Sequence, residues 1–517
     1  MVYKFLLPWT ALVSFLLFFI FIWINKIYLK NIFLKIDKKT WFSLSFLLLL
    51  AVSFRLIIPP LQHIMYIDEP WYMEAAKDML QNFSQGNYPK SIGWPFVLTL
   101  SFLFFGINNW VAIYTAVILG SLTVINIFFL TYLITKNKIV SLFSAVIFML
   151  MPLHIRWSAT AETNVPSLFF TTLTIFFFFL YYQKQKYSLF WLAIFSSIFA
   201  SLIRPENYLL IPLFFIGILI FKIRIPLKKI ILALFIIMIL VLPAIMQSID
   251  FQVSTNWLEK ESQGQLQGSN WSFSNLIHNS LNFGPKIFVS ENMSFFIPFL
   301  SIIGLIYMLF KQKKESFFLI GWFTFFWLVY FFSWFQVIGG KDRFYLSFYP
   351  LIVIFAGYGF KLLLDLAYKI NPKIQKNNSV SYLLFFLFIS LSFPYALKAK
   401  NIYNLSSTGL ETKIPELAKK DIPKDAIIIA NWPTILKSTT QLRVVDVNIF
   451  LFDYKFQKKI LKSKNLILYF KDYTCFDFSA CDWCKTNCNL MEEAFKLELY
   501  QEYVYKDKKY GFYKIIR

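Results

Sequence analysis

Four short stretches of this chain carry side chains that could do chemistry. The first is Asp68-Glu69-Pro70-Trp71-Tyr72. An acid just past an apolar segment, at the height of lipid headgroups, can take a proton from an acceptor hydroxyl, which makes Asp68, with Glu69 beside it, a candidate catalytic base. Asp68 also stands where a helix would begin, before Glu69 and Pro70, and capping alone would account for it. The second is Glu162, in the loop His154 to Thr163. It opens an apolar segment, where a helix N-terminus favours a carboxylate, and its sharper role is to help build a polar cavity facing Asp68. The third is Arg204-Pro205-Glu206, set with almost no loop between the apolar runs 187–203 and 208–221. Helices that short, roughly 21 to 26 Å, leave the turn recessed below the surface. A guanidinium there needs protein, water or an anion around it. It can pair with Glu206 or snorkel, or it can bind a lipid-borne phosphate. The fourth is Lys341-Asp342-Arg343, ahead of another apolar run, with Lys90 at the same height. Each of these cations also serves as an ordinary interfacial anchor. Arg55, inside an apolar run, is a snorkelling candidate.

The elements that must hold these groups are membrane helices. Of the 517 residues 58% are apolar and only 15% charged, against roughly 25% charged in soluble domains. Apolar runs near 5–25, 41–60, 110–135, 139–153, 164–182, 187–203, 208–221, 230–247, 295–310, 317–336, 344–365 and 380–396 predict about twelve transmembrane helices. The run from Ile92 to Phe105 is too short to cross and reads as an interfacial or re-entrant helix. Met73, Ala76, Met79 and Leu80 fall at helical spacing, which predicts an amphipathic helix after Asp68, lying along the interface. The formal charge of +23 is scattered between apolar segments rather than gathered in one patch, which speaks against a nucleic-acid partner.

Alternating the twelve runs places 20 Lys and Arg residues on one side and nine on the other, with 11 of the 14 acids before residue 397 on the poorer side. The richer side is expected in the cytoplasm. All four stretches with chemistry then face outward from the cell membrane. From residue 397 on, short β-rich runs (Ala426 to Ala430, Leu442 to Val447, Leu466 to Phe470) alternate with helical ones (Glu411 to Lys420, Tyr454 to Leu461, Leu490 to Leu499). The expected architecture is an all-α polytopic membrane domain, residues 1–396, with a small extracytoplasmic α/β domain, residues 397–517. Cys475, Cys481, Cys484 and Cys488 crowd into that domain. Outside the cell they favour two disulfides, in any of three pairings, over a zinc site. Asn82, Asn270, Asn292 and Asn404 head N-x-S/T triplets.

Taken in order, Asp68-Glu69 with Tyr72 and its amphipathic helix, Lys90 and Gly93-Trp94-Pro95, Glu162, Arg204-Pro205-Glu206 and Arg343-Phe344-Tyr345 resemble GT-C superfamily glycosyltransferases. The resemblance is nearest to the protein O-mannosyltransferase (family 39) and lipid A aminoarabinose transferase group, over about Trp41 to Ala367. It implies that Asp68 matches the acid of the first external loop, Glu162 the acid of the second, and Lys90 and Arg204 the basic groups near the donor phosphate. The chain departs from the family where an arginine-tyrosine pair before a late span is here Arg343-Phe344-Tyr345, and in having an extra N-terminal span.

The function expected is therefore transfer of a hexosyl or pentosyl unit from a polyprenyl-phosphate donor to a protein, glycan or lipid acceptor, on the outer face and with inversion. Asp68, Glu69 and Glu162 would do the catalysis, with Lys90, Arg204, Lys341 and Arg343 around the donor phosphate. A divalent metal ion can bridge Asp68 and Glu162, because hard cations take carboxylate oxygens. Two other classes compete: a transporter or flippase of a lipid-linked or anionic solute, with Arg204 and Arg55 in its pathway, and a receptor or scaffold for which Asp68 and Glu162 are dispensable. Transporters place ionisable groups near the midplane, often in repeated halves. Here the groups gather at one face and no repeat is seen.

Overall fold

The computed structural model describes residues 2–59, 68–83, 91–254, 273–289, 292–334, 341–370, 379–400, 413–431, 433, 436, 440, 442–476, 482–505 and 507–516. The chain divides into two compact units, Met1–Pro60 with Ala75–Ile402 and Leu61–Glu74 with Tyr403–Arg517.

The first unit is helical. Its elements begin with α1 Val2–Ile24, α2 Lys26–Leu34 and α3 Lys38–Ile57; α4, Glu69–Asn82, falls to this unit from Ala75 on. There follow α5 Gly93–Phe105, α6 Asn109–Thr135, α7 Lys138–Met149, α8 Pro152–Ser158, α9 Asn164–Lys184 and α10 Tyr187–Ile203. A 3-10 turn, Pro205–Leu209, leads into α11 Leu210–Phe221, and α12 is Leu227–Ser254. The remainder is α13 Phe273–Phe283, α14 Phe296–Lys311, α15 Lys313–Val329, a 3-10 segment Lys341–Phe348, α16 Tyr349–Ile370 and α17 Ser379–Ala396.

Over its described residues each of the twelve apolar runs is mainly helical. Among the described residues eight helices are long and apolar enough to cross a membrane, and α7 with α8, bent by 62°, makes a ninth if the pair is one span. The bend falls where Leu150 and Met151 leave the helix and Pro152 starts the next, since a proline ring suits a first helical turn and not an interior. The remaining runs form the shorter apolar helices Tyr187–Ile203, Pro205–Phe221 and Phe296–Lys311, and α5 is shorter still at 13 residues.

Polar contacts sort the helix ends. Lys138 reaches Asp37 at 2.8 Å, Lys136 donates to Gln183 at 2.7 Å and Ser188 donates to Asn25 at 2.7 Å, which gathers these turns at one end of the bundle. There α6, α9 and α11 close on Lys136, Gln185 and Lys222, each left-handed with φ of 55°, 52° and 53°. Exposed polar side chains suit a helix C-terminus on the aqueous side. Elsewhere in the bundle α14 and α16 meet backbone to backbone. A Cβ on Gly304 would overlap the Phe355 carbonyl, one on Gly359 the Leu300 carbonyl, and Ser301 Oγ donates to Ile352 O at 2.8 Å. Small residues permit that approach in a membrane, where packing and interhelical hydrogen bonds replace the hydrophobic drive.

The second unit is α/β. Its strands β1 Ile427–Ala430, β2 Arg443–Asp446, β3 Ile467–Lys471, β4 Lys496–Tyr505 and β5 Lys508–Ile516 form one sheet in the order β2-β1-β3-β5-β4. β1 is parallel to β2 and β3, and β5 is antiparallel to β3 and β4. Strand alternation divides the core. Ile428, Ala430, Leu468 and Phe470 face α18 Lys413–Asp421, whereas Ile427, Ile429, Ile467 and Tyr469 face α19 Val447–Phe452, α20 Tyr454–Leu461 and α21 Asp482–Ala494. The three expected strands are present, as are the helix expected at 454–461 and, from Lys413 on, the one expected at 411–420. The run Leu490 to Leu499 is a helix only as far as Ala494, because Lys496 to Leu499 alternates as a strand and pairs with β5. Cys475 is disulfide-bonded to Cys488, tying the turn after β3 to α21. Cys481 and the side chain of Cys484 lie outside the described residues, and with them the second expected disulfide.

Candidate active site

Three segments of the first unit converge away from the lysine-rich end: the loop 159–163 after α8, the turn between α10 and α11, and the 3-10 segment before α16. Arg343 Nη1 lies 3.5 Å from Glu162 Oε2. Arg204 forms an ion pair with Glu206 through Nε, and its Nη1 donates to Asn164 Oδ1 and, at 3.3 Å, to Thr163 Oγ1. The ring of Phe344 stands within cation–π range of both guanidiniums, 5.4 Å from Arg204 and 5.3 Å from Arg343. Tyr330, at the end of the α15 span, donates to Glu206 Oε1 at 2.9 Å and shares a hydrogen with Ser347 at 2.9 Å. Glu162, Arg204 and Glu206 are all buried.

These positions follow from local structure. Helix α10 ends at Ile203, Pro205 prevents its continuation, and Asn207 fastens the turn by donating to Ser167 and Ala200 O, each at 2.8 Å, while accepting from Thr171 at 2.9 Å. The first turn of α5 steadies both loops. Trp94 Nε1 donates to Ala161 O at 2.7 Å, and a Cβ on Gly93 would come 2.6 Å from Leu202 C and 2.7 Å from Ile203 N, immediately before Arg204. Only a residue without a side chain allows that approach.

The structure brings Glu162, Arg204 and Arg343 together in this unit. Arg204 has the Glu206 partner that the structural reading of the sequence foresaw, and Glu162 engages an arginine. Arg55 is not a snorkelling side chain. It is 1% exposed and held by His154 Nδ1 at 2.7 Å, Ser158 Oγ at 3.2 Å and Ala51 O at 2.7 Å, because neighbours on α8 and its own helix offer acceptors within reach. Asp68 precedes α4 and its carbonyl accepts from Tyr72 N at 3.3 Å, as a residue at a helix start does. It is half-buried and Glu69 is buried. Both belong to the second unit by chain range. The expected face of α4 is buried at Met73, Ala76 and Met79. Lys90 and the Lys341 side chain lie outside the described residues. Asn292 is buried, its Nδ2 donating to Lys286 O at 2.7 Å, so this triplet is not offered to solvent; Asn270 and Asn404 lie outside the described residues.

Tyr330, Asn164 and Thr163 were not assigned a role from sequence, and Phe344 was noted only as a departure from the family pattern. Of the first three only Asn164 and Thr163, polar residues adjoining Glu162, carry a signal that could have drawn notice. A metal ion fits this cluster poorly. Glu162 and Glu206 each already face a guanidinium, and among the described residues no group of three or more His, Cys, Asp or Glu gathers.

The chain is similar to known proteins in part of its sequence and in its fold. Residues 89–246 match the family described as dolichyl-phosphate-mannose-protein mannosyltransferase, a stretch that includes Glu162, Arg204 and Glu206. A curated but uncharacterized protein of Aquifex aeolicus is 29% identical over 154 residues, which covers 28% of this chain and 30% of that protein. Among solved structures, ArnT from Cupriavidus metallidurans bound to undecaprenyl phosphate superposes with a TM-score of 0.58 at 11% identity, over 92% of this chain and 98% of that one. The oligosaccharyltransferase AglB from Archaeoglobus fulgidus, in complex with an inhibitory peptide and a dolichol-phosphate, gives a TM-score of 0.54 at 10% identity, over 92% of this chain and 74% of that one.

Proposed function

We propose that this multi-pass membrane protein, whose fold is that of the GT-C glycosyltransferases, transfers a hexosyl or pentosyl unit from a polyprenyl-phosphate donor to a protein, glycan or lipid acceptor at the extracytoplasmic face, with inversion. The observation that carries the proposal is the pair of guanidiniums within cation–π range of Phe344, Arg204 buried and Arg343 half-buried, at the end of the bundle opposite the lysines. As the glycosidic bond breaks, charge builds on the departing lipid phosphate. Arg204 and Arg343 offer fixed donors there, in surroundings too dry to screen them. Before a donor arrives Glu206 and Glu162 compensate these cations. Tyr330 keeps Glu206 oriented as Arg204 exchanges its partner for phosphate. Asp68 acts as the general base on the acceptor hydroxyl, with Glu69 tuning the local field. A single displacement from the face opposite the phosphate inverts the anomeric carbon. The lipid-linked nature of the donor is supported by the carriers bound to the two structural neighbours, and an oxidising location for the second unit by its disulfide.

The test is transfer in vitro from a panel of radiolabelled polyprenyl-phosphate sugars to membrane extracts, with the product identified by mass. Asp68→Asn should lower the rate by roughly 10²-fold or more while the donor stays bound, whereas Arg204→Ala should weaken donor binding. An Asp68→Asn protein that folds and transfers at the original rate removes the base. Movement of intact donor across vesicles without transfer would make the chain a flippase. For orientation, an impermeant thiol reagent applied to intact cells should label a cysteine placed at Lys424 and not one at Lys228.

A further inference from the structure

On the second unit, α19 and α20 are fixed by their inner sides. Val447, Phe450 and Ile460 are buried in the cluster formed with Ile427, Ile429, Ile467 and Tyr469 of the sheet. Their outer sides are not needed for that packing, yet they carry large apolar groups. Ile449, Phe452 and Tyr454 are 52%, 72% and 70% exposed. Asp453 caps α20 by accepting from Phe456 N at 3.0 Å, and the turn so made displays Phe452 and Tyr454 on its two sides. Single exposed apolar residues are ordinary; three within six positions form a patch.

The same outer side is basic. Lys455, Lys458, Lys459 and Lys462 follow one another at i, i+3, i+4 and i+7, so they line one stripe along and just past α20, and all are exposed. The stripe lies opposite Phe456 and Ile460. Lysine alone does not set this face apart, because α18 on the other side of the sheet has Lys413, Lys419 and Lys420 exposed. On α18, however, Ile414 and Ala418 are buried and no large apolar side chain is exposed among the described residues. Exposed aromatics at the foot of a lysine stripe are the composition of an element that sinks its rings to the headgroup level and meets lipid phosphate with its charges.

We propose that this face, Ile449 to Lys462, docks the second unit on the anionic phospholipid surface of the bilayer that holds the chain. Charge complementarity selects the occupant. The membrane is also tethered to the unit by the chain itself, which gives it a high effective concentration that a free acidic protein lacks. The proposal is independent of the transfer reaction.

The experiment uses the full-length chain in nanodiscs. With Cys481→Ser and Cys484→Ser in place, a fluorophore is attached at Phe452→Cys, or at Lys420→Cys on the opposite side of the sheet as the reference. In phosphatidylcholine with about one-third phosphatidylglycerol, the probe at 452 should be quenched by spin-labelled lipid and shielded from iodide, and the probe at 420 should show the reverse. Each lysine near an anionic surface contributes roughly fivefold to its partitioning. Lys458→Glu, Lys459→Glu and Lys462→Glu together should therefore return the probe at 452 to water, and so should high salt. These lysines are exposed and leave the fold intact, as protection of the β1 and β3 amides from hydrogen exchange will report. Iodide quenching at 452 that is equal in detergent, in neutral discs and in anionic discs, and unmoved by the three substitutions, would overturn the proposal. Shielding in neutral discs seeded only with polyprenyl phosphate, and not in phosphatidylglycerol, would overturn it too, since the surface would then be reading the carrier.

Discussion

The two ends of the helix bundle hold charge in opposite ways. At one, Lys138 and Asp37 pair at 2.8 Å with side chains 36% and 50% exposed. At the other, Arg343 and Glu162 are 3.5 Å apart with side chains 11% and 1% exposed. An exposed pair is screened by water and salt, so it contributes little and its loss is easily tolerated. A buried pair has given up its hydration, and removing one partner strands the other. Ion pairs at the first end therefore mark a boundary with water, whereas those at the second keep charges buried, where the proposed function has a donor phosphate replace one partner.

The largest expected effect of breaking this contrast is at Arg343. Arg343→Ala leaves Glu162 without that guanidinium and Phe344 without one of its two cations, and should destabilise the membrane unit by about 3 to 5 kcal/mol. Transfer should fall at least as far as in Asp68→Asn, and thermal melting in detergent alongside the transfer assay measures both. Next is Gly93→Ala, whose Cβ pushes the Leu202–Ile203 backbone and with it Arg204. A displacement near 1 Å should lower transfer by about 10²-fold with the protein still folded. Gly321→Ala is its control, because the added Cβ meets Leu213 Cδ1 at an ordinary 3.6 Å. Equal activity in the two variants would mean that α5 does not position the arginine.

A third test asks what a buried acid does without a cation. Asp472, in the second unit, is fully buried and accepts from Thr474 N at 2.8 Å and from its hydroxyl, with no ion pair among the described residues. Burial pushes its carboxyl up from 3.8 to about 6, against those hydrogen bonds. Because the folded form holds the proton more tightly, the contribution to stability is fully present below pH 4. It is lost as the pH rises through about 6. At about 1.4 kcal/mol per tenfold the change is at most about 3 kcal/mol. Hydrogen exchange of the β1 and β3 amides, corrected for intrinsic rates, should show protection falling over that interval in the native chain and staying level in Asp472→Asn. The smallest effect belongs to Lys138→Ala, which should leave transfer and melting unchanged.

Much of the architecture was legible because apolar length and period are local properties. All twelve runs became helices, and the break at Arg204 followed from Pro205 and the shortness of its neighbours. The site was legible by residue type but not by partnership. Glu162, Arg204 and Arg343 stood out as charges in apolar surroundings, while Tyr330 lay unmarked in an aromatic-rich span, and Phe344 entered only as a departure from a familiar pair. Their roles come from packing between segments far apart in sequence, which no local pattern encodes. At Leu490 to Leu499 the helical reading failed for the same reason, since the partner strand β5 decides that β4 is extended.

The close meeting of α14 and α16 bears on how a long-chain lipid could approach. With Gly304 and Gly359 bringing backbones into contact and Ser301 bonded across to Ile352, that seam has no room for an isoprenoid tail. The 3-10 segment carrying Arg343 runs directly into α16 and is thereby moored to a double-width wall. A carrier lipid of the proposed kind would need to enter the bundle by another doorway.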